Sequence, residues 1–246
     1  MRTAVFSDIH GNLEALGAVR QAGAERGVDC WICLGDVVGY GADPAACLGV
    51  VDELAAVNLQ GNHEAAVAGV QSVEYFTPLA RRATQWTQEQ LSGEQQAALR
   101  DLDLTYAEPE AFFVHAEPGD PGAWHYVSDA DDAAVALDTV AERLVFVGHT
   151  HVAFICAAAQ DVGTNTRIVM RIEGRAVLES GTRYLVNVGS VGQPRDGDPR
   201  ACFAVHDSAL DSIELVRVAY DVTAARQKIL AAGLPRFLAD RLGQGS

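Results

Sequence analysis

The chain has 246 residues, 49% of them hydrophobic, and a formal net charge of −15, which suits one large α/β domain with a sizeable core. That charge excludes a basic footprint for long nucleic acid or for an anionic membrane, although a metal site would reverse the field locally for a small anion. No apolar run reaches the ~18 residues of a membrane-spanning helix, and the N-terminus opens on a strand instead of a leader, so the expected location is cytoplasmic.

In chain order, Ala4-Val5-Phe6 reads as a strand buried on both faces. It stops at Asp8, with His10, Gly11 and Asn12 just beyond. Residues 12–26 carry Leu13, Leu16 and Val19 at helical spacing. "CWICLGD" is the next strand and ends in Gly35-Asp36. Cys30 and Cys33 lie within it, on opposite faces, so they read as core cysteines and not as a redox pair. Five cysteines at irregular spacing make no disulfide framework. Asp43-Pro44 opens a helix over 44–55, with proline at the first helical position. "AAVNLQGNHE" ends in Gly61-Asn62-His63-Glu64.

Residues of about 65–104 read as a helical insertion, in which Ser92-Gly-Glu-Gln95 is a capping box. "AFFVHAE" then carries His115, residues 128–143 give one helix, and "RLVFVGHTH" ends in Gly148-His149-Thr150-His151. From 153 onward five strand-like runs follow, read as a second, mostly antiparallel sheet. Asp221 opens a last helix, over about 221–242, and "GQGS" reads as a frayed tail. No linker or repeat divides the chain, so residues 1–246 are taken as one domain.

Strand–helix–strand alternation implies parallel strands whose C-terminal ends share an edge, where open α/β sheets bind ligands. Asp8, His10, Asp36, Asn62, His63, His115, His149 and His151 therefore converge, although scattered in sequence. They include five of the seven histidines. A single one of them would read as a hydrogen-bonded core or surface histidine, as His125 and His206 do. Ligand-type residues at five strand ends do not fit that reading.

The ordered motifs D-x-H (8–10), G-D (35–36), G-N-H-E (61–64), a lone His (115) and G-H-T-H (148–151) resemble those of the calcineurin-like metallophosphoesterases, over residues of about 3–200. The stretch "NVGSVGQPRDGDPR" resembles the small prokaryotic branch of that superfamily. The resemblance implies an α/β fold: a four-layer αββα sandwich of two mixed sheets flanked by helices, with a helical insertion. It also implies two divalent ions. Asp8, His10 and His151 would hold one, Asn62, His115 and His149 the other, and Asp36 would bridge them. His63 would be a catalytic, non-ligating residue facing the substrate. Manganese is the favoured ion; iron, zinc, nickel or cobalt suit the same mixed N/O donors. Two ions with two carboxylates leave a net positive site that attracts phosphate and acidifies a bridging water for in-line attack.

The Asp-Arg pair that follows Gly-Asp in the protein-phosphatase branch is replaced here by Val37-Val38-Gly39-Tyr40-Gly41, which weighs against a phosphoprotein substrate. Glu117 stands where the family commonly has glycine, and reads either as a pocket acid or as a solvated loop residue. Glu64 reads as the partner of a ligand histidine or as a helix start. Arg195 and Asn12 are the candidate substrate-binding side chains, and the Gly189-Ser190 turn is a candidate to aim N–H groups at an anion.

The expected function is hydrolysis of small-molecule phosphoesters by a metal-bridging hydroxide, with phosphodiesters favoured. The alternatives are a dinucleoside polyphosphate hydrolase, whose insertion would form a nucleoside pocket, and a phosphomonoesterase. A nuclease and a non-catalytic metal-binding scaffold rank lower. The sequence assigns no oligomeric state.

Overall fold

The opening apolar run is a strand, β1 (Arg2–Phe6), buried over its last four residues. The computed structural model, which describes residues 1–160, 166–171 and 174–246, continues with α1 (Leu13–Glu25), β2 (Cys30–Cys33), α2 (Pro44–Leu54) and a short β3 (Val57–Asn58). A helical stretch follows: α3 (Asn62–Val67), α4 (Pro78–Gln90) and α5 (Gly93–Arg100). Next come β4 (Thr105–Glu108), β5 (Ala111–Val114), α6 (Ala130–Thr139) and β6 (Leu144–Val147). The last part holds β7 (Phe154–Gln160), β8 (Thr166–Arg171), β9 (Gly174–Val177), β10 (Thr182–Asn187), β11 (Ala201–Asp207), β12 (Ser212–Val218), α7 (Val222–Ala231) and α8 (Arg236–Asp240).

These strands form two mixed six-stranded sheets, ordered β3-β2-β1-β11-β12-β9 and β4-β5-β6-β10-β7-β8. Side-chain alternation sorts the apolar residues into layers. Val5, Ile32 and Ala204 of the first sheet meet Phe113, Phe146 and Val186 of the second between the sheets. Ala4, Phe6 and Phe203 face the other way, onto Leu16 and Val19 of α1 and Val51 of α2. Val145 and Leu185 pack on Ala133 and Leu137 of α6 outside the second sheet. The result is the four-layer αββα sandwich.

Three local expectations differ from the structure. The C-terminal strands do not form a sheet of their own. β11 adds antiparallel to β1 and leads to β12 and β9, while β10 adds parallel to β6 and leads to β7 and β8. Each sheet thus has a parallel core extended by antiparallel strands. The stretch 221–242 is two helices and not one: Gly233, at φ +72°, ends α7, and Pro235 precedes α8. The "GQGS" tail is docked, with the Gly197 N–H donating to the Gly245 carbonyl at 2.8 Å.

The capping predictions at Ser92 and Asp221 hold, each side chain accepting a backbone N–H of its helix. Asp43 precedes α2 as expected, but its carboxylate binds Lys228 at 2.7 Å instead of the helix N-terminus.

Candidate metal centre

Because β1, β2 and β3 run parallel, as do β5 and β6, the residues after them emerge at the C-terminal edge of the sheets. Asp8 and His10 follow β1, Asp36 follows β2, and Asn62 and His63 open α3. His115 follows β5, and His149 and His151 follow β6. All eight are buried. Their donor atoms form three groups, each within 4.8 Å: Asp8–His10–His151, His10–Asp36–His63 and Asp36–His115–His149. Asp36 and His10 each belong to two of them. His63, expected to stand apart from the ligands, lies within reach of the same space.

The backbone is bent hard to bring these groups together. Asp8, His10, Asp36, His149 and His151 all have positive φ, between 49° and 66°. This conformation is uncommon for residues other than glycine, and each instance costs roughly 1–3 kcal/mol. Surrounding hydrogen bonds hold it in place. Asp8 N–H donates to Gly35 O at 3.0 Å and His10 N–H to Asp36 O at 2.9 Å, lacing the two strand ends together. The His149 N–H donates to Asp8 Oδ2 at 3.0 Å across the sheets. The glycines before the polar residues have a steric cause. A Cβ on Gly61 would collide with the Asp36 carboxylate, and one on Gly148 with Ser7 Oγ and Asp8 Oδ2.

The imidazole orientations show what the cluster accommodates. His10 Nδ1 lies 3.0 Å from the Val38 carbonyl and His151 Nδ1 2.6 Å from that of Gln193. A carbonyl only accepts, so both Nδ1 atoms carry the hydrogen. Both Nε2 atoms then present lone pairs, and they face each other at 3.1 Å. Asp8 Oδ1, buried without a hydrogen-bond partner, lies 3.1 Å from His151 Nε2. Three electron-rich atoms converging in a dry space call for a cation. On the other side, His149 Nε2 faces the Trp124 carbonyl at 2.9 Å, which turns its Nδ1 lone pair toward His115 Nε2 at 3.2 Å. His115 Nε2 is 3.4 Å from Asp36 Oδ2, and Asn62 Oδ1 is buried with no partner. This donor set fits divalent ions of borderline hardness.

The electrostatics fit the same site except at His115, whose proton an arriving ion would have to displace. Burial opposes ionisation of Asp8, yet His151 and His10 hold its carboxyl well below the usual range. The imidazoles around Asp36, His115 first, likewise hold that carboxyl far down against burial. Burial would lower His115, but the Asp36 carboxylate lifts it to about 9. Burial dominates at His63 and His151, lowered to about 3, and at His149, lowered to about 4. At pH 7 those values favour the neutral imidazole, the form that can ligate a metal.

Several predicted roles change. Asn12, expected to touch substrate, has a structural role in the fold: its Oδ1 caps α1 through the Ala15 N–H at 3.1 Å, and its Nδ2 donates to the Gly192 carbonyl at 2.8 Å. The Gly189-Ser190 turn does not present N–H groups to an anion. The N–H of Gly189 goes to Asn187 Oδ1, and those of Val191 and Gly192 go to the carbonyls of Ser7 and Asp8. Glu117 is a loop acid that accepts the N–H groups of Gly119 and Asp120 at 2.8 and 3.1 Å. Glu64 takes the second of its two readings, a helix start: its carboxylate accepts the Gly61 N–H at the cap of α3, and no hydrogen bond links Glu64 to a histidine among the described residues. It accepts the N–H groups of Asp36, Gly61 and Val38 at 2.6, 2.9 and 3.1 Å, fixing the Asp36 loop against α3, and burial with nearby Asp36 raises it to about 7.

Arg195 lies beside the cluster. Its N–H donates to the His151 carbonyl at 3.1 Å, and its guanidinium stands 5.9 Å from the Tyr40 ring centroid and bonds Gln193 Oε1 at 2.9 Å. Asp196 pairs with Arg217, and Asp198 with Arg200.

Ser190 works through its side chain instead of its N–H, and Trp124 carries a support that no motif marks. Ser190 Oγ donates to the Asp8 carbonyl at 2.7 Å and accepts the Gln193 N–H at 2.8 Å, bracing both ends of one ligand set. Trp124 orients His149 from a left-handed backbone, φ +58°. Neither residue type carries a local signal for such work.

The sequence model of the calcineurin-like phosphoesterase superfamily domain matches residues 1–210. The chain belongs to this superfamily. It is a metal-dependent phosphoesterase by family, and its buried His/Asp clusters are where such an enzyme needs them. An uncharacterised protein of Methanocaldococcus jannaschii is 38% identical to this phosphoesterase over 98% of the chain and 97% of its own length. The crystal structure of a metallophosphoesterase from Sphaerobacter thermophilus superposes over 100% of this chain and 99% of its own, with a TM-score of 0.86 and 37% identity. A hypothetical protein of Pyrococcus horikoshii shares the fold, with a TM-score of 0.77 at 18% identity over 100% of this chain and 98% of its own.

Proposed function

We propose that this phosphoesterase uses two divalent ions to hydrolyse small-molecule phosphoesters, phosphodiesters first. In this reading Asp8, His10 and His151 hold one ion, Asn62, His115 and His149 the other, and Asp36 reaches both. The observation that carries it is the pair of His10 and His151 lone pairs facing each other at 3.1 Å, with the unpartnered Asp8 oxygen beside them. When bound, the ions supply the positive charge that draws a phosphoester in and acidifies water.

The side chains around them divide the remaining work. His63 is neutral, and its backbone N–H is fixed on Asp36 Oδ1 at 2.9 Å. Its imidazole can give a hydrogen bond to the leaving oxygen or stabilise charge on the phosphoryl group, and can pass on a proton only after the negative charge of an arriving phosphoester has let it take one up. Arg195 supplies a guanidinium for a phosphate oxygen. Phosphodiesters are favoured because two ions with two carboxylates suit a singly charged ester with a poor leaving group. The net charge of −15 disfavours a long polyanion.

Manganese is the first ion to try. A panel of phosphodiesters, phosphomonoesters and dinucleoside polyphosphates, given to stripped protein with each ion added back, tests the reading. Turnover is expected only with an added ion and fastest on a diester. Turnover without metal, or none on any ester in fully loaded protein, would overturn it.

A further inference from the structure

A cleft of about 300 Å³ opens beside the cluster. Its walls are aromatic. Tyr40 and Phe76 flank the His63 imidazole, with ring centroids 4.5 and 5.2 Å from it. Trp124 and Tyr126 stand beside His149; Tyr126 stacks on that ring at 4.3 Å, with the planes 9° apart. Tyr126 remains 56% exposed, a large flat surface turned to solvent at the edge of a catalytic cluster. Asn62, His63 and His149 also line the cleft, so whatever fills it touches the proposed reaction centre. Among the described residues, none lining it is Lys, Arg, Asp or Glu. Three polar atoms of its lining residues are buried with no hydrogen-bond partner: Asn62 Oδ1 and His63 Nδ1, on the side of the cluster, and Gln71 Oε1.

These features select a ligand. Aromatic walls favour a planar group that stacks. The uncharged lining argues against a second phosphate in this space. The orphan Gln71 oxygen asks for an N–H or O–H donor, which an alkyl chain lacks, and the aromatic walls favour a flat ring edge over a sugar to bring that donor in. About 300 Å³ lies at the small end of ligand pockets, enough for one ring system and not for a peptide loop. We infer that the cleft takes the nucleobase of a small nucleoside phosphoester, stacked against Tyr126 and Phe76 with an N–H on Gln71. The phosphoester group would then lie at the cluster, with the nucleoside as leaving group. This inference rests on the phosphoesterase reading for the role of the site, and on the cleft itself for the base.

Calorimetry on metal-loaded protein with adenosine, guanosine, cytidine and uridine, against ribose, tests base binding without turnover. At least one nucleoside is expected to bind saturably and ribose not. Gln71→Ala and Tyr126→Leu, each checked for folding by circular dichroism, should weaken that binding by roughly 5- to 150-fold, the range of one stacked base. In a second arm, kcat/KM for the matching nucleoside 5′-(methyl phosphate) should exceed that for ribose 5-(methyl phosphate), and both variants should shrink that ratio. No nucleoside binding, or binding unchanged in both variants, overturns the inference. Equal kcat/KM with and without the base also overturns it, while leaving the phosphoesterase reading intact. Nucleoside binding that responds to both variants, in loaded protein that hydrolyses no ester, supports the base site and defeats the phosphoesterase reading.

Discussion

His10 and His151 are aimed from behind by buried carbonyls, those of Val38 and Gln193. His149 is aimed by the carbonyl of Trp124, beside the exposed residues His125 and Tyr126, and the buried His115 Nδ1 has no partner at all. One half of the cluster is therefore built by the interior of the sandwich and the other partly by a surface loop. A ligand held by a buried hydrogen bond pays less to adopt its bound orientation. The half containing Asp8, His10 and His151 should hold its ion more tightly, and the half containing His115 and His149 should be the one that exchanges.

The largest effect should come from the residue the halves share. Asp36→Asn removes a carboxylate from both, and metal analysis should show both ions lost. Turnover should fall by at least about 10⁴-fold, the scale of several kcal/mol of transition-state charge stabilisation. Full occupancy in Asp36→Asn would dissolve the comparison.

His63→Gln tests the space between the halves. It should keep both ions and lose about 10²–10⁴-fold in turnover, more for an alkyl ester than for a nitrophenyl ester, because only the alkoxide needs a proton. Equal losses for the two esters would make His63 a stabiliser of phosphoryl charge. Loss of metal would make it a ligand, which its proximity to His10 and Asp36 permits.

The asymmetry itself is sharpened by His149→Ala against His151→Ala. The first should release one ion and leave the other bound through dialysis. The second should weaken the tighter site. Identical stoichiometries and affinities in the two variants would show the halves to be equivalent.

A smaller effect should appear in the stability of the stripped protein. His63, His149 and His151 are held down to about 3, 4 and 3 by burial. The unfolded chain binds protons at these positions near pH 6.5 and the folded chain does not, so stability should fall as pH drops below that value. His115, lifted to about 9 by Asp36 against burial, acts in the opposite sense. Only the folded chain keeps that proton between pH 9 and 6.5, so stability should rise as pH falls through this window. Thermal midpoints at pH 5, 6.5 and 9 should peak at the middle value. A midpoint still climbing at pH 5 would contradict the assigned charges.

The comparison also explains what was legible in the sequence. Polar residues closing apolar runs mark β1, β2, β5 and β6 because a buried strand has no other reason to end in Asp or His. Parallel pairing then brings them together. The distribution of the last strands was not legible. β10 and β11 have similar apolar patterns, and only long-range pairing decides that one joins β6 and the other β1. Asn12 stands out beside the metal ligands as a substrate contact, yet the fold employs its side chain to cap α1. Gly189 and Ser190 resemble an anion-binding turn, yet the end of β1 takes up the N–H groups that follow them. The supports at Ser190 and Trp124 act through a hydroxyl on a backbone carbonyl and through a backbone carbonyl, which residue type alone does not announce.

Anomalous diffraction from crystals of the metal-loaded protein tests the central claim most directly. The account predicts two ions roughly 3.5–4 Å apart, both touching Asp36, one among Asp8, His10 and His151 and the other among Asn62, His115 and His149. A single ion in a fully loaded crystal, or two ions that do not share Asp36, would contradict it.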